Sequence, residues 1–223
     1  MPKTGMFAKR NFGELMEKEV LLTREVSTRI PTEYGDFQLY FYSNTLDNKE
    51  HLAFVKGDVD DRKNILVRVH SECFTGDVLG SQRCDCGEQL ENSLKLIAEE
   101  GRGVFIYMRQ EGRGIGLLEK LRAYNLQDQG FDTVDANIEL GHDSDPRDYT
   151  ITAEILKDLH VFSIQLITNN PLKIESLENS GITVEKRIPQ VPTINENNEG
   201  YLETKVLKMD HLLDYPFENS SDQ

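Results

Sequence analysis

The sequence predicts an α/β domain in which helices flank a mixed sheet, with a β-rich N-terminal half. Three observations carry that prediction. Aromatic and β-branched runs follow one another from Phe37 to Val69 with no helical pattern between them, the apolar period lengthens to helical spacing after Gly87, and beyond Thr150 helical and strand patterns alternate.

Element by element, the chain before about Val26 is charged and lacks a sustained strand pattern, although Leu15, Met16, Val20 and Leu21 would suit a short amphipathic helix. Residues 1–26 therefore read as an extension. Phe37–Tyr42, Leu52–Val55 and Ile65–Val69 read as strands separated by turn-forming Asn, Asp and Gly. From Gly87 to Glu100, Leu90, Leu94 and Ile97 recur at helical spacing, and Gly101 stops the helix. Gly103–Met108 reads as a buried strand. Leu117, Leu118, Leu121 and Tyr124–Leu126 predict one helix running to Gly130. Helix at Thr150–Leu159, strand at Ser163–Thr168, helix at Leu172–Asn179 and strand at Ile182–Lys186 complete the alternation. Tyr201–Leu213 suits a docked helix, and residues 214–223 an acidic, flexible tail.

Charge and composition limit the function classes. Twenty-five basic against 39 acidic residues give a net charge of −14, which argues against general attraction to nucleic acid or an anionic membrane. Any anionic ligand must then meet a local basic pocket. The longest apolar runs, such as Ile65–Val69 and Gly103–Met108, fall far short of the ~20 residues of a membrane helix. Met1–Phe12 has no apolar signal core, and three cysteines cannot all pair internally, so a reducing, cytoplasmic setting is expected.

All three cysteines lie between Cys73 and Cys86. Zinc held by Cys73, Cys84 and Cys86 through three thiolates would keep its fourth position open for water, which is the arrangement of a catalytic site. The alternatives are buried small side chains, or a structural site completed by a distant histidine. Arg68, His70 and Glu72 lead into Cys73, and either His70 or Glu72 could move protons; Arg83 and the backbone near Gly87 could face the sulfurs.

The second feature is a local reversal of sign. Between Gly101 and Tyr124, Arg102, Arg109, Arg113, Lys120 and Arg122 face only Glu111 and Glu119. Within it, Glu111-Gly112-Arg113-Gly114-Ile115-Gly116 sets guanidinium groups and free backbone N–H groups at a helix entrance, a suitable phosphate cradle. The spacing is neither that of a P-loop nor that of a dinucleotide fingerprint. Asp143, Asp145, Arg147 and Asp148 precede a helix, where they could cap it or meet a metal-bound phosphate. Thr168-Asn169-Asn170-Pro171-Leu172-Lys173 turns from strand end into helix, where open sheets bind ligands, and Lys173 could reach a phosphate there.

Taken together, RVHSEC at 68–73, TGD at 75–77, RCDCG at 83–87, RQEGRGIGL at 109–117, RAYNLQDQGFDTVDAN at 122–137, DPRDY at 145–149 and TNNP at 168–171 resemble GTP cyclohydrolase II. The resemblance covers about Arg29 to Leu213 and implies a catalytic domain at 27–213, without the dihydroxybutanone phosphate synthase domain that some relatives carry. It implies that Cys73, Cys84 and Cys86 hold the catalytic Zn2+, with Mg2+ accompanying the triphosphate. Arg68, Val69, His70, Ser71, Glu72, Gln89, Glu111, Gly112, Arg113, Thr133, Thr168 and Lys173 would line the GTP site, and Tyr124 would lie near the reacting base. The family opens the guanine imidazole ring, releasing formate and pyrophosphate to give a diaminopyrimidine for riboflavin synthesis, and its members are commonly homodimers. Its general base and nucleophile map to Asp145 and Arg147. A guanidinium, with pKa of about 12.5 or more, is a poor nucleophile, so Arg147 is better read as a clamp on the α-phosphate. The rival enzyme class is a zinc nucleobase deaminase, which His70-Ser71-Glu72 mimics; Arg83-Cys84-Asp85-Cys86 lacks that class's P-C-x-x-C. A nucleotide-binding regulator with structural zinc is the reading from a different class.

Overall fold

The computed structural model describes residues 21–143 and 147–213. Its strands are β1 (Leu22–Thr32), β2 (Gly35–Asn44), β3 (His51–Lys56), β4 (Ile65–Ser71), β5 (Gly103–Met108), β6 (Ser163–Ile167) and β7 (Thr183–Ile188). They form one seven-stranded sheet in the order β1-β2-β3-β5-β4-β6-β7. The β1–β2, β2–β3 and β3–β5 pairs are antiparallel, whereas β4–β5, β4–β6 and β6–β7 are parallel, so the sheet is mixed as the sequence predicts. The antiparallel part comes first in the chain because its strands are joined by tight turns; the parallel part needs crossovers, which the helices supply.

The helices are α1 (Phe74–Asp77), α2 (Cys86–Glu100), α3 (Leu117–Gln127), α4 (Thr133–Glu139), α5 (Thr150–Asp158), α6 (Pro171–Asn179) and α7 (Glu199–Met209). Alternation along β4 assigns the two faces. Ile65, Val67 and Val69 enter the larger core with Ile151, Ile155 and Leu156 of α5 and Leu177 of α6. The intervening Leu66 packs in the smaller core with Ile97, Leu90 and Leu94 of α2, beside Phe37 and Phe105. Arg68 and His70 share the Leu66 face and point toward the start of α2.

Several boundaries differ from the sequence reading, each for a physical reason. Strand β1 begins at Leu22 and runs through Val26, where an extension is expected; it is an edge strand exposed at nearly every position, so it has no buried alternation to read. Of the suggested N-terminal helix, Leu15, Met16 and Val20 lie outside the described residues, and Leu21 is not helical. The helix expected to run to Gly130 is α3, which ends at Gln127, and a further helix that no periodicity announced follows it, where Asp132 accepts from the Val134 and Asp135 N–H groups at 2.8 and 3.0 Å and starts α4. Helix α7 runs from Glu199 rather than Tyr201 and ends at Met209, since Asp210 takes a left-handed φ of 52°. No helix among the described residues is long and apolar enough to cross a membrane.

Candidate active site

A cavity opens at the C-terminal ends of β4, β5 and β6, the edge where open α/β sheets present their ligand sites. One wall is sulfur. Cys73 follows the end of β4, Cys86 opens α2, and Cys84 lies just before it; the three Sγ atoms lie within 4.8 Å of one another, with Cys73 and Cys84 at 3.7 Å. Two glycines permit this approach. A Cβ on Gly76 would stand 2.9 Å from Cys86 Cβ, 3.1 Å from Cys84 Sγ and 3.2 Å from Cys73 Sγ, and one on Gly87 would be 2.5 Å from the Gly76 carbonyl oxygen.

The charge balance around the sulfurs comes from an unexpected residue. Lys120 Nζ donates to Cys73 Sγ at 3.1 Å and to Glu111 Oε1 at 2.9 Å. Burial opposes the Lys120 charge, yet the Cys73 thiolate and Glu111 more than offset it and hold the ammonium above the usual lysine range. Hydrogen bonds from Cys84 and Cys86, and then Lys120, pull the Cys73 thiol far down. The bond to Cys73 and burial push Cys84 up to about 11 and Cys86 well up too. One negative charge is thus shared among the sulfurs, and full ionisation of all three needs a cation among them. Arg83, expected near the sulfurs, instead donates to Asp128 at 2.6 Å and lies 5.0 Å over the Tyr124 ring.

The groups expected to move protons are tied down. His70 is buried between the rings of Phe105 and Tyr107, and its Nε2 lies 3.0 Å from Asp77 Oδ1. Burial outweighs the pull of Asp77 and lowers the His70 pKa, so the ring stays neutral. Glu72 pairs with Arg109 at 2.9 Å. Asp77 also accepts from the Cys73 N–H at 3.0 Å and from the Tyr107 hydroxyl at 2.9 Å, making it the brace of this corner. The Tyr124 hydroxyl reaches Thr75 Oγ1 at 3.2 Å, itself 3.7 Å from Cys73 Sγ, so Tyr124 stands beside the sulfur wall.

Much of the remaining lining is cationic. Gly112 and Arg113 both adopt left-handed backbone, with φ of 61° and 59°; for Arg113 this is a strained state, held where the loop faces the cavity. Glu111 pins the loop by accepting from the N–H groups of Phe74 and Gly112 at 2.6 and 2.7 Å. Arg113 donates to Thr133 Oγ1 at 3.3 Å. Buried Lys173, in the first turn of α6, donates to the Val69 carbonyl at 2.7 Å. Burial, then the charges of Lys205, Arg147, Lys173 and Arg113, press the His211 pKa down to about 2, which registers how closely those cations converge.

Nearly all the residues singled out in the sequence line this cavity, including Arg68, Ser71, Gln89, Thr168 and Arg147. Val69 does not: strand alternation sends its side chain into the larger core, and only its carbonyl serves, by holding Lys173. Asp145 lies outside the described residues. Gln110, inside the 109–117 motif but given no role there, and Tyr201, Lys205 and His211, which lie in no motif, also line the cavity. Residues 23–189 match the GTP cyclohydrolase II family.

The chain belongs to the GTP cyclohydrolase II family. The riboflavin biosynthesis protein RibBA of Bacillus cereus (strain B4264) is 57% identical over 195 residues, 87% of this chain and 49% of that protein. RibBA of Bacillus mycoides (strain KBAB4) is 58% identical over 196 residues, again 87% and 49%. The chain therefore spans about half the length of these curated relatives. Among solved structures, RibBX, a two-domain 3,4-dihydroxy-2-butanone 4-phosphate synthase from A. baumannii, is similar over 76% of this chain and 40% of its own, with a TM-score of 0.43 and 23% identity. The donor set fits a zinc ion: three thiols converge within bonding reach of one centre, with glycine backbone against them and a lysine offsetting their charge.

Proposed function

We propose that the chain is a zinc-dependent GTP cyclohydrolase II. It hydrolyses GTP, opens the guanine imidazole ring, releases C8 as formate and the terminal phosphates as pyrophosphate, and yields 2,5-diamino-6-(5-phosphoribosylamino)pyrimidin-4(3H)-one, the first step of riboflavin biosynthesis. The observation that carries the reading is the shared cavity: a three-thiol cluster and the cations Arg68, Arg113, Arg147, Lys173 and Lys205 line one space.

Cys73, Cys84 and Cys86 would hold the zinc, which supplies Lewis acidity for activating water. Tyr124, beside Thr75 and the sulfurs, would orient the purine and its reacting carbon. Arg113 and Lys173 would spread the negative charge of the departing pyrophosphate together with Mg2+, as phosphoryl sites do. Arg147 belongs to the same cationic group, which supports a clamp on the α-phosphate over a nucleophile. Asp145 keeps the proton-transfer role the resemblance assigns to it. Arg68, Gln89 and Thr168, with Ser71, form the floor against which the nucleoside would rest. Exposed Val78, Leu79 and Leu118 offer apolar surface for the homodimer we propose, and we place the enzyme in the cytoplasm.

The test is to incubate zinc-loaded protein with GTP and Mg2+ and quantify formate, pyrophosphate and the pyrimidine. Formate and pyrophosphate in equal amounts support the reading. Ammonia in place of formate would make the chain a deaminase, and tight GTP binding without turnover would make it a regulator. Cys84→Ser should lose ring opening before it loses phosphate cleavage.

A further inference from the structure

The C-terminal helix α7 lies beyond the residues matched to the family, yet it reaches the metal-binding loop. Lys205 is buried on it, with an ammonium 2.6 Å from Asp85 Oδ1 and 4.4 Å over the Tyr201 ring. Asp85 is the residue between Cys84 and Cys86, and its side chain is only 1% exposed. Its other oxygen accepts from Gln89 Nε2 at 2.5 Å; Gln89 Oε1 accepts from Arg68 Nη2 at 2.6 Å; and Arg68 Nη1 donates to the Ile167 carbonyl at 3.0 Å. A continuous chain of charged and polar contacts therefore runs from α7 through the cysteine loop to the ends of β4 and β6.

We propose that Lys205 is a positioning residue for the metal site, holding the Cys84-Asp85-Cys86 loop so that its two sulfurs meet Cys73, and holding Gln89 and Arg68 in register across the cavity floor. The reasoning is electrostatic and geometric. A carboxylate with almost no contact with water, set between two sulfurs that must become anionic, would repel them and swing toward solvent without a cation beside it. Lys205 is that cation, and it comes from outside the loop. The helix is itself fixed near the cavity: Lys208 pairs with Asp132 and Asp135, and the Leu212 N–H donates to the Asn169 carbonyl at 2.8 Å. Lys205 thus enters from a fixed base, not from a mobile side arm.

The inference rests on the cysteines holding zinc, so its readout is metal affinity and not turnover alone. Zinc competition against a chromogenic chelator, and the thiolate-to-metal absorption of the Co2+ form, would be measured on the full chain for Lys205→Met, Asp85→Asn and the double variant. Lys205→Met should weaken zinc binding by about 10- to 100-fold, shift the Co2+ spectrum, and at saturating zinc lower kcat more than it raises KM. The double variant should bind no more weakly than Lys205→Met, since the same single contact is lost in both. If Lys205→Met does not fold, Asp85→Asn, which keeps the shape and removes the paired charge, must show the same shifted spectrum. Leu207→Ala, on the same helix at an exposed position, should bind zinc like the parent. Parent-like affinity and spectrum in Lys205→Met or Asp85→Asn, or equal weakening in Leu207→Ala, would overturn the proposal. A parent protein that binds no zinc would instead overturn the reading of the cysteines.

Discussion

At the residue scale, the sulfur wall depends on what is missing at Gly76. Its backbone is not in the left-handed region, so an added methyl is resisted by contact alone: Cys86 Cβ at 2.9 Å and two sulfurs at 3.1 and 3.2 Å. The sulfurs must spread to admit it. Gly76→Ala should therefore weaken the zinc binding we propose by about tenfold or more while leaving secondary structure intact, as chelator competition and circular dichroism would report. Unchanged affinity would mean the loop yields without moving its sulfurs. The sulfurs themselves were legible in the sequence because cysteine is rare and their grouping stands out. Lys120 was visible only as one of five basic residues, since nothing in a linear segment tells which cation will turn inward onto Cys73. Val69 shows the converse: it shares a motif with cavity residues, and only strand alternation reveals that its side chain points the other way.

At the element scale, β1 is attached to the domain by polar pins more than by its exposed faces. Arg24 Nε donates to Asp158 Oδ2 at 2.8 Å, and the fully buried Tyr42 of β2 donates to the same oxygen at 2.7 Å. Burial and then Asp158 push the Tyr42 phenol well above its ordinary range, so it is a permanent donor. Tyr42→Phe should cost about 1 kcal/mol of stability by urea unfolding, because the buried hydroxyl's bond is lost while the partly exposed Asp158 carboxylate keeps Arg24. The formate production we propose should be unaffected, as this pin lies on α5 and not at the cavity. A variant as stable as the parent would show that the Tyr42 bond adds nothing to the Arg24 contact and the β1–β2 ladder. The same geometry explains what the sequence could and could not announce. Strands with one buried face, such as β3, alternate and were readable. Strand β1 has almost no buried face, and α4 is a seven-residue helix announced only by the Asp132 cap, so neither had periodicity to offer.

At the scale of the whole molecule, an acidic chain of net charge −14 concentrates buried cations at one cavity, and its histidines carry the consequence. His211 is held near 2 by burial and four cations, against an ordinary value of 6.5; burial also lowers His51 and His70. A depressed histidine takes a proton in the unfolded chain before it does in the folded one. Its effect is therefore absent above about pH 6.5, and stability is lost as pH falls below that value, by about 1.4 kcal/mol per pH unit for a group such as His211. Urea unfolding at about pH 7.5 and about pH 5.5 should show this loss in the parent. In His211→Gln the loss should be smaller by about 1 kcal/mol, whatever the carboxylates contribute to both. Pyrophosphate, the proposed product, would offset the same cations if it binds among them, and should then raise the His211 pKa and shrink the difference between the two proteins. An equally steep loss in His211→Gln, with or without pyrophosphate, would mean that the cations of this wall do not converge on His211 in solution.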